Sequence, residues 1–226
     1  MTEVWKNFQT LRTVSAVTTP KRHHRERGKA RRDALLRATV EVAAEQGTAG
    51  ITHRAVTEKA GVPLATVSYF FDSITQLVEE ALRTFTASER ARLIELANAL
   101  GAERRSPDEI AAAFAAESAP DRSAALAMFE AYLHAARGPE LHAPVSEALA
   151  ASRQVASAAA RAAGAPDPDL MAPALAALAH GFVMHQLAVP GQVAPDALRS
   201  ALRALFLGYL LDNGHVELAL SLRASG

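Results

Sequence analysis

An all-α protein is the fold class this sequence predicts, on three observations. Apolar residues recur at steps of three and four along nearly every segment after residue 29, glycines and prolines fall where such helices would stop or start, and no segment reads as a strand. The segments sort into a small N-terminal unit of three helices, a connecting helix and a larger C-terminal bundle, about nine helices in all.

Each element has its own warrant. From Lys29 to Glu45, Leu35, Ala38, Val42 and Ala43 share one face, and Gly47 follows as a stop. Thr52 is a good N-cap for a short helix to Lys59, which Gly61 ends; a second short helix runs from Pro63 or Leu64 to Phe70. From Thr75 to Leu100 a long amphipathic helix opens with Leu77, Val78, Ala81, Leu82 and Phe85, with Glu79, Glu80, Arg83, Glu89 and Arg90 on its polar face. Ser106-Pro107-Asp108-Glu109 is a capping box with proline at the first helical position, so a helix begins there and runs to Glu117. After Pro120, residues 121–137 carry Leu126, Phe129, Leu133 and Ala136 on one stripe, and Gly138-Pro139 breaks the pattern again. Glu140 to Ala163, Pro168 to Ala188 and Pro195 to Asn213 complete the set, with Gly164, Gly191 and Gly214 at the joints.

Composition narrows the function classes. The 226 residues carry 24 Lys+Arg against 24 Asp+Glu and no cysteine, which excludes a disulfide scaffold, a thiolate nucleophile and Cys-liganded zinc or iron–sulfur clusters. A cytoplasmic protein is expected, since residues 1–20 hold no apolar run of secretory type. The neutral total hides an asymmetry: residues 1–83 carry 13 basic and 9 acidic side chains, residues 84–226 carry 11 and 15. The excess is concentrated between positions 21 and 32, where Lys21, Arg22, Arg25, Arg27, Lys29, Arg31 and Arg32 face only Glu26, a density able to attract a polyanion. Residues 1–28 are therefore expected to be a flexible extension with a basic arm, ahead of a first helical unit over 29–88 and a separate C-terminal unit over 89–226.

The stretch from Leu170 to Pro195 has no charged side chain and is long enough to cross a bilayer. Pro173, His180, His185, Pro190 and Gly191 interrupt it and no Lys/Arg cluster flanks it, so a buried helix is expected and no membrane partner. Catalytic signatures are missing: there is no G-x-G-x-x-G, P-loop, G-x-S-x-G or H-E-x-x-H, and His180 and His185 stand about 140° apart on a helix, too far to share a metal. No enzyme, cofactor or metal is expected.

The informative segment is Gly50 to Phe71. Two short helices meet at Ala60-Gly61-Val62, with Val56, Ala60, Val62 and Val67 placed to hold them crossed, as a helix-turn-helix requires. The second helix then faces outward with Leu64, Ala65, Thr66 and Ser68, small enough to enter a major groove, and with Tyr69 for a phosphate or a thymine methyl. The alternative is an all-helical dimeric interaction module that packs without binding DNA.

Thr52-x-Arg54, Ala60-Gly61-Val62, Thr66-Val67-Ser68-Tyr69-Phe70-Phe71 and Leu77, after a first helix that ends at Gly47, resemble the DNA-binding domain of the TetR family of bacterial transcriptional regulators over residues 29–88. The resemblance implies a homodimer, usually a repressor, whose C-terminal helices bind a small effector and release a double-stranded DNA operator. It places Thr52 and Arg54 at the backbone and nearby bases, Leu64, Ala65, Thr66, Ser68 and Tyr69 on the recognition helix, and Phe71 in the core. Ile74 stands where members often carry a phosphate-holding lysine, a role that passes to Thr75 or to the arm at 21–32.

In the C-terminal part, Leu178-Ala179-His180-Gly181-Phe182 and His185 are similar to the dimer helix of many members. Met171, Leu175, Leu178, Phe182, His185 and Val189 form one stripe and Leu198, Leu202, Leu205 and Tyr209 another, which together can form a four-helix seam across a two-fold axis. An effector pocket is expected among Phe114, Met128, Phe129, Tyr132 and Leu133, with His134, His142 or His180 as polar handles. Its ligand should be mainly apolar, with an acidic group able to pair with a histidine.

Overall fold

The computed structural model describes residues 20–101, 106–117, 121–194 and 196–224. The expected extension at 1–19 and the side chains of Lys21, Arg22, Arg25 and Phe114 lie outside the described residues. Those residues form ten α-helices and no strand: α1 (Pro20–Gln46), α2 (His53–Ala60), α3 (Ala65–Phe70), α4 (Ile74–Gly101), α5 (Pro107–Glu117), α6 (Arg122–Arg137), α7 (His142–Ala162), α8 (Pro168–Ala188), α9 (Ala197–Asp212) and α10 (Val216–Ala224). Short 3-10 turns at Thr48–Gly50 and Pro139–Leu141 precede α2 and α7.

The helix starts follow the capping chemistry. Thr52 Oγ1 accepts the Ala55 N–H at 3.1 Å. Ser106 and Glu109 close a reciprocal box, Glu109 N–H donating to Ser106 Oγ at 3.2 Å and Ser106 N–H to Glu109 Oε2 at 2.9 Å. Asp121 Oδ1 caps α6 through the Ser123 N–H. Gly61 ends α2 at φ +64°, a left-handed conformation that a Cβ would strain.

Two helices differ from expectation. α1 starts at Pro20, not Lys29, so residues 20–28 are helical where a flexible arm is expected. That segment has no apolar face to register as a period, but Arg, Lys and Glu are good helix formers and Pro20 occupies the first position. α10 lies beyond the set the sequence predicts; its nine residues are too few to show a period, and packing of Leu218, Ala219 and Leu222 on the body holds them.

Two buried clusters organise the molecule. The head cluster joins Leu35, Val42, Val56, Val67, Phe71, Leu77 and Leu82 from α1–α4 with Ala131 and Ala135 of α6 and Leu141 and Val145 at the start of α7. The body cluster surrounds α7, whose residues from Val155 to Ala160 are buried without a break. α7 lies chiefly against α4 and α8, while α5 packs on α9.

α8 is long and apolar enough to cross a membrane, yet it is not the fully buried helix expected: only 28% of its most apolar window is covered. Met171, Leu175, Ala176 and Ala179 face the body core, whereas Leu178 and Phe182 are half-buried and Met184 is exposed. On α9 the expected seam residue Leu202 is instead core, 4% exposed beside Phe206 and Leu210, because it meets α5 and α7 within its own chain. Leu205 and Tyr209 are partly buried against the same cluster.

Candidate nucleic-acid interface and effector chamber

The α2–α3 pair is built to present a surface. Val56 and Val67 are wholly buried, Val62 and Ala60 partly so, and the turn between them is closed by the Val62 N–H donating to the Thr57 carbonyl at 3.1 Å. Thr57 Oγ1, itself buried, donates to the His53 carbonyl at 2.8 Å, so α2 keeps its polar group satisfied inside. α3 then gives only Val67 wholly to the core. Leu64 is 59% and Tyr69 78% exposed, Ala65 and Ser68 are exposed and Thr66 is half-buried, so the outward set expected of a recognition helix lies together on one face.

Neighbouring charges fix this head. Arg32 is not free to serve as part of a basic arm: it pairs with Glu80 of α4 and its guanidinium lies 5.1 Å over the Phe71 ring, tying α1 to the residue that follows α3. Lys59 bridges to Glu45 and Glu41 of α1. Arg54 is exposed and held by Glu58 at 2.8 Å, a surface pair that an anion can displace. Ser73 caps α4 through the Gln76 N–H, and the Gln76 side chain accepts from the Asp72 N–H. Ile74, at the first position of α4, is half-buried against the head cluster, and Thr75 beside it is exposed.

A half-open pocket of about 110 Å³ lies in the body between α4, α6, α7 and α8. Met128, Phe129, Tyr132 and His180 line it as expected. Leu133 does not; it is 48% exposed, because one residue beyond Tyr132 the helix has turned outward. His142 turns away as well, its Nε2 2.8 Å from the Ala135 carbonyl, and His134 is not in the lining. The aromatic rings interlock edge to face, Phe129 to Tyr132 and Tyr132 to His180, each at 5.9 Å. His180 Nε2 lies 3.4 Å from Ser152 Oγ.

Sequence reasoning missed the α4 wall of this chamber. Glu89, Arg92, Leu93 and Leu96 contribute to it, although Glu89 reads as part of a solvated face. The Glu89 carboxylate is only 19% exposed and accepts from Arg92 Nε at 3.1 Å. Burial, with the Glu89 charge adding to it, pushes the Tyr132 phenol up to about 12. Burial lowers the pKa of His180 and keeps its ring neutral near pH 7.

α6 serves both regions. Met128, Phe129 and Tyr132 face the chamber, while Ala131 and Ala135 face the head core and Glu130 Oε2 accepts the Thr48 N–H at 3.3 Å. A helix-turn-helix on a capped four-helix head, joined to an alanine-rich body with a half-open chamber, is the architecture of a DNA-binding regulator. Residues 35–81 match the model of bacterial regulatory proteins of the tetR family, and residues 103–208 match a tetracyclin repressor-like C-terminal domain. The chain belongs to the TetR family of transcriptional regulators.

Solved structures agree. A transcriptional regulator from Rhodococcus sp. Rha1 is 27% identical with a TM-score of 0.62, over 80% of this chain and 96% of that one. A TetR family member from Streptomyces coelicolor A3 is 27% identical with a TM-score of 0.59, over 77% and 97%. The multidrug binding protein EbrR, in complex with ethidium, is 27% identical with a TM-score of 0.58, over 77% and 98%; it is also known in complex with proflavin. No curated protein matches the chain.

Proposed function

We propose that the chain is a homodimeric, cytoplasmic repressor that binds an operator through α3 and leaves it when a small, mainly apolar effector enters the chamber. The outward, uncommitted face of α3 carries this reading, since Leu64, Thr66, Ser68 and Tyr69 have few other contacts to make. Thr52 and Arg54 at the start of α2 would meet the backbone, and the basic first turns of α1, including Lys21, Arg22 and Arg25, would add phosphate contacts. A protection assay on DNA flanking its own gene tests it; no footprint at micromolar protein would favour a packing module without DNA binding.

The partner is a second copy, seated on the part of α8 that its own chain leaves uncovered. Leu178, Phe182 and His185 lie there, with Leu205 and Tyr209 of α9 beside them; the Tyr209 hydroxyl also donates to the Asp167 carbonyl at 2.9 Å. Phe182→Asp should give folded monomers in sedimentation, because a buried unpaired carboxylate costs several kcal/mol, and operator binding should fail with the dimer. The effector is a flat aromatic molecule, neutral or positively charged, that lies against Phe129 and Tyr132 near the Glu89 carboxylate. Ethidium and proflavin, bound by EbrR, are the first probes. Titration with and without operator should show weaker binding with it, and equal affinities would exclude the coupling.

A further inference from the structure

We propose that Glu79, His134 and Glu140 form a site for one divalent transition-metal ion at the joint between head and body. Three elements bring them together: Glu79 lies in the second turn of α4, His134 in the last turn of α6, and Glu140 in the turn that leads into α7. One imidazole nitrogen and one oxygen of each carboxylate all lie within 4.8 Å of one another. None of the three side chains has a hydrogen-bond or ion-pair partner among the described residues. Arg83, one turn beyond Glu79, gives an N–H to the main-chain carbonyl of Glu140 at 3.4 Å and makes no ion pair with either carboxylate among the described residues.

The donor set selects the class of ion. An imidazole with two carboxylates suits Zn²⁺, Co²⁺ or Ni²⁺ better than Mg²⁺ or Ca²⁺, which prefer oxygen alone. Metal–ligand bonds of about 2.0–2.2 Å set donor atoms roughly 3–3.5 Å apart, so an ion must draw these groups in by little more than about 1 Å, and water completes the shell. Glu140 is exposed and can make that movement, whereas Glu79 and His134 are half-buried and hold their places. The Glu140 carboxylate folds back over Gly138, whose N–H fixes the turn by donating to the His134 carbonyl at 3.1 Å. A bound ion would be a cross-brace between the base of α4 and the α6–α7 corner, whichever way the chain regulates transcription.

The test uses the full chain without an affinity tag, stripped with EDTA and titrated with Zn²⁺ by calorimetry, with thermal unfolding in parallel. One ion per chain and a higher Tm are expected. His134→Ala and Glu79→Gln should each weaken binding by roughly tenfold or more while leaving the Tm in EDTA unchanged. A His23→Ala/His24→Ala variant should bind as the parent does, and Co²⁺ should show a ligand-field spectrum that His134→Ala abolishes. Failure of the parent to bind Zn²⁺, binding that persists in both site variants, or binding lost with His23 and His24 would each overturn the site.

Discussion

The head and the body are both closed by burial, but of different side chains. In the head cluster five of seventeen residues are alanine, so Leu, Val, Ile and Phe interlock and hold two short helices that could not stand alone. In the body cluster twelve of twenty are alanine, so the helices approach closely around α7 and small differences in side-chain size decide where space remains. Two differently packed units are thus made from one helical vocabulary by the choice of core residue.

The largest effect should come from treating the two cores in opposite ways. Leu77→Ala, at a wholly buried head position, should cost about 2–5 kcal/mol in urea or thermal unfolding and remove operator binding with it. Ala156→Leu, equally buried in the body, should cost about 1–3 kcal/mol by forcing α7 off its neighbours. A neutral Ala156→Leu would show that the body is loosely filled and would break the comparison.

Next in size are Thr66→Ala and Tyr69→Ala. Each should lose about 1–3 kcal/mol of operator affinity per subunit, with no change in unfolding midpoint for Tyr69, which is exposed. Retained footprints in both would remove the recognition role from α3.

The smallest effect is a pH dependence that the chamber of the body carries on both limbs. Tyr132 keeps its proton in the folded body up to about 12, above the unfolded value, so the native state binds more protons and stability should fall as pH rises past 10. His180 has the opposite need: its pKa is lowered on folding, the unfolded state binds more protons below about 6.5, and stability should fall as pH drops through that range. Tyr132→Phe and His180→Gln should each flatten one limb in pH-dependent unfolding; unchanged limbs would place these groups in water.

What could be read in advance follows the same divide. Thr52, Gly61, Val56, Val67 and the Ser106–Glu109 box announce themselves because caps, turns and large apolar residues have direction. Alanine has little: between Val155 and Ala160 every position is buried, so no face is marked and the wall formed by Glu89 and Leu93 could not be placed. Leu202 failed for a related reason, since a heptad-like stripe reads the same whether it meets its own chain or another. The opening of α1 was hidden because its residues are polar all round.

The two faces of α6 have a genetic consequence. Because Phe129 and Tyr132 point into the chamber while Glu130 and Ala131 engage the head, adjacent codons answer to different phenotypes. In the proposed repressor, lesions on the chamber side should be dominant losses of induction, since a copy that ignores the effector keeps the operator occupied, and lesions on the head side should be constitutive. A saturation screen of codons 127 to 135 would therefore alternate between the two classes with the pitch of a helix, reporting the geometry of the switch without any ligand in hand.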